Sequence, residues 1–563
     1  MEVCNDLDVN ANKKTRYGRL DVAQKVVDIN AVLKKTHNQS EAARAVGVPR
    51  STARYWLDRN YKTGLSSEVI LFFESPAGMA FLHQLTISAQ FSITQLAGGG
   101  IDVFSTFLRL SQLDHFVASS HGTLHKQNVA MEEAINQFGV DERKQLIPKM
   151  PKKKISVCQD ETFHPEICLV AIEPVSNFIV LEEYSDKRDA ESWSKAMNGA
   201  LQDLPVEVIQ STSDQGTGLV KYVEKQLGAH HSSDLFHGQQ EITRATSAPF
   251  RAKVKHAETE HEKSKVALAR LEKEQEKYAD TNKSPPGSWS GLNKEIETAA
   301  ADIEITAQHL QEIKQCEEKA KEAKKALGVA YHPYDLCTGK SQTVEEVSEK
   351  IEGYLAIIES SAADAELSEN SMKRLEKARR VFKLMMTTIV FFWTTIKQYI
   401  ADLGLSPELE TLMHDVLIPA LYLQKAAKKA KGAAERKRIA KLATELLARL
   451  DLCGAWCNLP PHRREEISSV AHQCAQLFQR SSSCVEGRNG YLSLRHHSSH
   501  RLSKRKLGAL TVIHNYFIKR PDETTAAERF FEAKPNDLFK YILNNLDILS
   551  RPAMGRRVSK MAA

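Results

Sequence analysis

Three acidic residues, far apart in the chain, carry the strongest chemical signal in the sequence. Asp160 and Asp214 each end a strand-like run, and Glu486 lies far downstream. Carboxylates suit Mg²⁺ or Mn²⁺, because hard cations prefer oxygen ligands. Two such ions about 4 Å apart can activate an attacking oxygen and stabilise a leaving one in phosphodiester chemistry. The sequence therefore predicts one site in which these three residues hold two metal ions.

Two alternatives compete with this metal site. The chain has 71 acidic residues, so the three could be unrelated surface acids. Their position at the ends of successive predicted strands argues against that. Glu161 is the rival of Asp160, and only one of the two can face the site because side chains alternate across a strand. We choose Asp160.

The elements around the acids predict a multidomain α + α/β protein. Residues 150–244 have the order β-β-β-α-β-α-β, which is that of an RNase H-like sheet, and such sheets bind ligands at the carboxyl ends of their strands. Residues 245–480 predict an all-helical insertion with coiled-coil-like arms that flank a Pro-Pro-Gly turn. Residues 481–549 complete the core with the Glu486 helix, and residues 550–563 are expected to be a flexible tail.

The N-terminal region, residues 1–64, has the pattern of a DNA-binding helix-turn-helix. Ser40 is the expected N-cap of a second helix, Gly47 the turn, and Pro49 the first position of a third helix. The front of that third helix should contact DNA. The predicted contacts are Arg50, Ser51, Thr52, Arg54 and Tyr55. The alternative is a plain three-helix bundle. Residues 65–149 predict helices, with a second helix-turn-helix or a dimerisation segment at 113–135.

Composition indicates a soluble, reduced, intracellular protein. The 563 residues are 26% charged and 42% hydrophobic, with a net charge of +6 and nine scattered cysteines. We expect no signal peptide, and the apolar stretch 384–396 is too short to span a bilayer. Cys453 and Cys457 have a spacing that zinc permits, but buried free thiols are favoured. Trp393 and Trp456 are interpreted as core residues of the insertion rather than as stacking partners for a flipped base.

Basic residues cluster in two places, where they are expected to follow a DNA backbone. One cluster lies at 425–441, and the other lies next to Glu486. Solvated charged faces are common, so either cluster could also be simple surface. The predicted DNA contacts near Glu486 are Arg488, Arg495, His496, Arg501, Lys504 and Arg505.

The order of these features resembles that of the DDE transposases. In the hAT-type branch and the RAG-like recombinases, the second acid is followed by a C/D-x-x-H motif and then by a large helical insertion before the final Glu. Asp234-Leu235-Phe236-His237 matches D-x-x-H, and 248 residues separate His237 from Glu486. The segments around Asp214 and Glu486 also resemble those of bacterial insertion-sequence transposases. The zinc finger common at the N-terminus of eukaryotic relatives is absent from this pattern, which favours a prokaryotic protein.

This resemblance implies a specific activity. The protein would bind transposon-end repeats, cleave the DNA with bound Mg²⁺ or Mn²⁺, and transfer the exposed 3′-OH to target DNA. It implies double-stranded DNA as partner, a homodimer or higher oligomer, no membrane, and a location at the nucleoid in a bacterial cytoplasm. His237 would contact the scissile phosphate or orient a water molecule, or be a core histidine; Asp234 could be its structural partner. The alternatives are a domesticated, regulatory DNA-binding protein and, more remotely, a structural coiled-coil protein.

Overall fold

The computed structural model describes residues 19–63, 65–163, 166–281, 284–479, 481–499 and 501–552. The chain forms two compact units, one of residues 1–149 with 492–563 and the other of residues 150–491. Most of the predicted C-terminal tail, residues 553–563, lies outside the described residues. Among the helices of the described ranges, none is both long and apolar enough to cross a membrane.

The first unit begins with three short helices, α1 (Arg19–Thr36), α2 (Gln39–Ala45) and α3 (Arg50–Thr63). Asn38, not Ser40, caps α2, because its side-chain oxygen accepts hydrogen bonds from the backbone N–H groups of Ser40 at 3.0 Å and Glu41 at 3.3 Å. Gly47 takes a φ of 69° in the turn before α3, as the sequence predicts. A small shared core holds the three helices together: Val26, Ile29, Ala42, Ala43, Val48, Ala53, Trp56 and Leu57.

The other described elements of the first unit are also helices. They comprise α4 (Ser67–Glu74), α5 (Pro76–Gln90), α6 (Ile101–Leu110) and α7 (His121–Leu146), and after residue 492 they continue with α20 (Lys504–Tyr516), α21 (Ala526–Phe531) and α22 (Leu538–Asn545). Segment 113–135 is a single 3₁₀ turn followed by the first half of α7, a helix of 26 residues. The first helix that a second helix-turn-helix needs is therefore only one turn long.

The second unit contains a five-stranded mixed sheet. Its strands are β1 (Lys153–Phe163), β2 (Ile167–Glu173), β3 (Phe178–Ser185), β4 (Val206–Ser213) and β5 (His230–Ser233), with α8 (Ala190–Leu201) and α9 (Thr217–Tyr222) between the later strands. This is the predicted β-β-β-α-β-α-β order. The strands lie in the order β3-β2-β1-β4-β5. β2 and β3 pair antiparallel, whereas β4 and β5 run parallel to β1.

The predicted strand ends need two corrections. β1 does not end at Asp160 but continues to Phe163, because its last residues pair with β2. β5 covers residues 230–233 instead of 232–236, and the next residues already begin a helix. The helical insertion thus starts directly after the sheet, ten residues before the predicted boundary at 245.

The insertion opens with a long hairpin of α10 (Leu235–Thr281) and α11 (Trp289–Ala330). Three contacts show that the two arms are antiparallel. As the residue number on α10 increases, the residue number of its partner on α11 decreases. The atoms are Glu258 Oε1 with Lys314 Nζ at 2.8 Å, His261 Nδ1 with Thr306 Oγ1 at 3.1 Å, and Gln275 Nε2 with Asn293 Oδ1 at 2.9 Å. The predicted helical hairpin is confirmed.

Further helices pack against the hairpin base around one apolar core. They are α12 (Val344–Asp364), α13 (Glu369–Asp402), α14 (Pro407–Leu412), α15 (Ile418–Lys429), α16 (Ala433–Ala448), α17 (Gly454–Cys457) and α18 (Pro461–Leu477). Trp393 lies against this core and donates its indole N–H to the Gln342 carbonyl at 3.1 Å, and Trp456 packs against the same core. Both tryptophans are therefore part of the insertion's packing. α19 (Ser483–Ser499) follows.

Candidate active site

Asp160 lies in β1, and Asp214 directly follows the neighbouring parallel strand β4. In the pairing of β1 with β4, Cys158 is opposite Thr212. Each aspartate follows its strand's paired residue by two positions, so the two carboxylates occupy equivalent places at this edge of the sheet. Gly216 N donates to Asp214 Oδ1 at 2.9 Å, which fixes the second carboxylate in the turn before α9. Both aspartates are half-buried.

The helix that carries Glu486 lies against this edge. Asn489, one turn after Glu486 on α19, donates its side-chain N–H to Asp160 Oδ2 at 2.8 Å. The Ser482 carbonyl accepts from the backbone N–H groups of Val485 at 2.8 Å and Glu486 at 3.1 Å, which orders the first turn of α19. A residue more than 300 positions along the chain thus reaches the sheet beside the first aspartate.

The pKa of Asp160 reflects both its burial and the charges of nearby acids. Burial raises the pKa of Asp160 to about 7, and the negative charges of Glu486 and Asp214 add to the rise. A hydrogen bond from the Glu161 N–H acts in the opposite direction and lowers the pKa. Glu486 and Asp214 therefore lie near enough to Asp160 for their charges to act on its carboxylate.

Glu161 belongs to a different environment. Trp193 on α8 donates its indole N–H to Glu161 Oε1 at 3.0 Å, and Arg188 lies 3.5 Å from Oε2. Trp193 is fully buried, so these contacts hold the Glu161 carboxylate against α8. Asp160 and Glu161 therefore make separate sets of contacts, as the alternation of side chains along a strand requires.

Asp234, the first residue of the D-x-x-H motif, is buried, and its hydrogen bonds connect the end of the sheet to the start of α19. Its Oδ1 accepts from Phe236 N at 2.7 Å, at the start of α10. Its Oδ2 accepts from the hydroxyl of Ser482 at 2.5 Å and from the Ser482 backbone N–H at 3.2 Å. These bonds fix the entry into α19 next to the end of β5, so Asp234 positions the Glu486 helix.

We expect Asp234→Ala to lower the free energy of unfolding by about 2 kcal/mol or more. The change leaves the buried N–H and O–H groups of Ser482 and the part-buried N–H of Phe236 without their acceptor, and each buried group costs roughly 1–3 kcal/mol. Chemical denaturation measures the effect. Asp234→Asn, which keeps one acceptor oxygen, should lose less; equal losses in the two variants would contradict the proposed role of the hydrogen bonds.

His237 lies in the first turn of α10 and is half-buried. Its ring packs edge-on against Phe236, with 5.7 Å between the ring centroids. His231, which was not predicted from the sequence, lies beside the second aspartate. Its Nε2 is 2.9 Å from Ser213 Oγ and 3.3 Å from the Asp214 carbonyl oxygen, and burial lowers its pKa. A neutral His231 thus supports the backbone at Asp214.

Asn489 is the second residue that the sequence analysis missed. Its side-chain oxygen is buried and has no hydrogen-bond partner within the described part of the chain. The only sequence signal was its spacing of three residues from Glu486, which places both on one face of a helix. The amide therefore donates to Asp160 and leaves an unused oxygen in the same cluster.

Three of the predicted DNA contacts are wrong, because their side chains are buried within the protein. The Arg488 guanidinium forms two hydrogen bonds with Glu182 and is only 4% exposed. Arg495 donates to the backbone carbonyl oxygens of Gln95, at 3.1 Å, and of Leu96. His496 is 8% exposed. Charged residues in these positions serve the packing of α19.

The other basic residues of this stretch differ in exposure. Arg505 donates to Glu132 Oε2 at 2.9 Å, a carboxylate that is itself buried, and its side chain remains 36% exposed. Arg501 and Lys504 are exposed. The surface available to a DNA backbone next to α20 is therefore smaller than the run of charges suggests, and Arg501 and Lys504 form its main part.

The carboxylates of the acid cluster are suitable ligands for a hard divalent cation, although they are not gathered closely around a single point. Among the described residues, no three His, Cys, Asp or Glu side chains lie close enough together to hold one metal ion. That finding also applies to Cys453 and Cys457, whose thiols lie near Glu408 Oε1 and the carbonyl oxygens of Leu450 and Asp451. The acid cluster nevertheless offers oxygen donors, mutual repulsion that raises a pKa, and the unused oxygen of Asn489. These properties fit Mg²⁺ or Mn²⁺.

Comparison with known proteins adds a family without an assigned activity. Residues 413–558 match the model of DUF6399, a family of unknown function. The match spans about a quarter of the chain and includes the end of the insertion, α19 with Glu486, and the C-terminal helices. A search of curated proteins found no match.

Proposed function

We propose that this protein is a DDE-type DNA transposase with an RNase H-like core. The observation that carries the proposal is the placement of Asp160 in β1 and of Asp214 directly after the adjacent parallel strand β4, with the helix of Glu486 bonded to Asp160 through Asn489. A protein gains little stability from collecting three carboxylates, because their repulsion disfavours the ionised forms. Such a cluster is favoured where it binds a cation together with a phosphodiester.

The chain's own residues prepare this site in defined ways. Asp160, Asp214 and Glu486 would hold the Mg²⁺ or Mn²⁺, two ions in the proposed arrangement, which supply Lewis-acid activation of the attacking and leaving oxygens. Asn489 orients the Asp160 carboxylate, while Asp234 and Ser482 set the start of the Glu486 helix. Because the pKa of Asp160 is about 7, a proton competes for this carboxylate in mildly acidic solution.

The test of this function is cleavage of the DNA that brackets the gene. With Mg²⁺, the wild-type protein should cut at inverted repeats in that DNA and join the exposed 3′ ends to a target duplex. Glu486→Gln should cut at the background rate and still bind the same ends, because the change removes a charge without altering the size of the side chain. Equal cutting by wild type and Glu486→Gln would refute the proposal; end binding without any cutting by the wild type would favour the domesticated regulator.

The three N-terminal helices support the proposal as a helix-turn-helix that recognises the element's ends. Arg50, Ser51 and Arg54 are exposed along the front of α3, Thr52 is half-buried, and Tyr55 packs against the small core. The front of α3 therefore offers two cations and a hydroxyl to a DNA groove, while Tyr55 contributes mainly to packing. Two ends must be held together in transposition, so a homodimer or a larger oligomer is part of the proposal.

We expect the double variant Arg50→Ala/Arg54→Ala to bind the element's ends at least about tenfold more weakly than wild type, since a lost base or phosphate contact costs roughly 1–3 kcal/mol. Electrophoretic mobility shifts or fluorescence anisotropy measure the affinity. Lys34→Ala/Lys35→Ala is the matched control, because these two lysines are exposed in the last turn of α1 and do not belong to α3. Equal effects of the two double variants would move recognition away from α3.

A further inference from the structure

A deep cleft in the second unit has an excess of positive charge. It has a volume of about 1270 Å³ and lies between the base of the α10–α11 hairpin and helices α15 and α16. Six lysines line it: Lys321, Lys324, Lys325, Lys425, Lys429 and Lys431. The lining also contains three glutamates, of which Glu318 pairs with Lys321 at 3.0 Å and Glu435 pairs with Arg438 at 2.5 Å. The lysines therefore outweigh the carboxylates.

The lysines come from two separate parts of the insertion. Lys321, Lys324 and Lys325 lie on α11, whereas the other three lie on α15 and in the loop after it. Only the sequence segment around 425–441 had been expected to contact DNA, and the fold adds a second, facing row from a helix about 100 residues earlier. Two facing rows of cations form a channel for a polyanion, which a single charged helix face does not.

The cleft reaches the first turn of the helix that carries Glu486. Ser481 and Ser483 line it, and Ser483 is the first residue of α19. Glu486 follows three residues later, a rise of roughly 5 Å along a helix. A chain that occupies the cleft is thus directed toward the helix that carries the third acid.

We propose that this cleft binds the phosphate backbone of a single DNA strand that enters or leaves the acid cluster. The identity of the ligand rests on the proposed function. Lysine ammonium groups contact phosphates as point charges and do not require a base sequence, and positively charged grooves that follow one strand are a common way to hold single-stranded DNA. The cleft is large enough for a few nucleotides and too small for a turn of duplex. The lining also includes apolar side chains of Leu235, Leu336 and Ile439, which would face sugars and bases.

The test reverses two charges in the cleft and two matched charges outside it. Lys325→Glu/Lys431→Glu changes one exposed lysine in each row. Lys319→Glu/Lys437→Glu makes the same change in net charge at exposed positions of α11 and α16 that do not line the cleft. Binding of a fluorescent single strand of about 15 nucleotides is measured by anisotropy at several salt concentrations. The full chain is used with Asp160→Asn as background, so that DNA is not cut.

We expect the cleft variant to bind the single strand at least about tenfold more weakly than the background protein. The slope of log affinity against log salt should fall by about 1.4, because each lost phosphate contact contributes about 0.7 for a single strand. The matched variant should stay close to the background. Equal binding of the single strand by the two variants would overturn the cleft proposal. If either variant loses its cooperative thermal transition, Lys325→Gln/Lys431→Gln replaces the charge reversal.

These results are independent of the test of catalysis. If the wild type does not cut DNA but the cleft variant loses binding, the cleft proposal stands and the transposase proposal falls. If the wild type cuts DNA and the cleft variant binds the single strand normally, the cleft proposal falls and the transposase proposal stands.

Discussion

Asp160→Asn is expected to abolish metal-dependent DNA cleavage and, at the same time, to stabilise the metal-free protein above pH 7. The pKa of Asp160 is about 7 in the folded protein, against 3.8 for an unperturbed aspartate. The folded state therefore holds its proton more tightly than the unfolded state does. That contribution to stability is complete below about pH 4 and is lost as the pH rises through about 7, and it amounts to roughly 4 kcal/mol.

The asparagine variant cannot ionise, so it avoids this loss. It also gives up one acceptor, because Asp160 accepts from both Glu161 N and Asn489 Nδ2 whereas an amide has one oxygen, and the missing bond costs about 1 kcal/mol. At pH 8 the variant should therefore be more stable than the wild type by about 3 kcal/mol, and below pH 4 it should have no advantage.

Denaturant unfolding at several pH values, in the presence of a chelator, measures this difference. Asp522→Asn is a suitable control, because that carboxylate is exposed and its pKa is lowered by hydrogen bonds to Thr524. Adding Mg²⁺ at pH 8 should stabilise the wild type and have little effect on Asp160→Asn. A wild-type protein whose stability does not fall between pH 4 and 8, compared with the variant, would contradict the proposed crowding of the three acids.

The sheet and the positions of the two aspartates could be predicted from the sequence for a physical reason. Short apolar runs separated by turn residues identify strands, and the helices before the fourth and fifth strands are the crossovers that parallel strands need. The pairing of β1 with β4 then places Asp160 and Asp214 at the same edge. The end of β1 was missed because its pairing with β2 depends on a partner strand and extends beyond the parallel pair.

Whether each basic residue is buried or exposed could not be predicted from the sequence in the same way. A run of arginines and histidines on a helix has the same sequence pattern whether it faces DNA or packs inward. Arg488 is buried because Glu182, 306 residues earlier, meets it on β3, and Arg495 is buried because two backbone carbonyl oxygens accept from it. The lysine cleft could not be predicted for the same reason, since its second row of lysines comes from α11, a helix distant in sequence from α15.

Arg488→Ala should destabilise the protein by about 3–5 kcal/mol, the usual cost of removing one partner from a buried ion pair. The Glu182 side chain is 0% exposed, and both of its oxygens accept from the guanidinium, so the change would leave a buried carboxylate without this cation. The double variant Arg488→Met/Glu182→Leu removes both charges and should recover most of the loss, because apolar side chains of similar size can replace a buried pair.

The matched control for this pair is Arg380→Ala, which removes an exposed arginine whose ion pair with Glu376 has side chains 72% and 62% exposed. Exposed pairs contribute about 0–1 kcal/mol, so this variant should unfold close to the wild type. Urea denaturation of the four proteins gives the comparison. If Arg488→Ala and Arg380→Ala lose the same small amount, or if the double variant is no better than Arg488→Ala, the ion pair is not what fixes α19 to β3. A specific loss, restored by the double variant, would mean that Arg488 serves to dock the Glu486 helix on the sheet and leaves DNA contact to other residues.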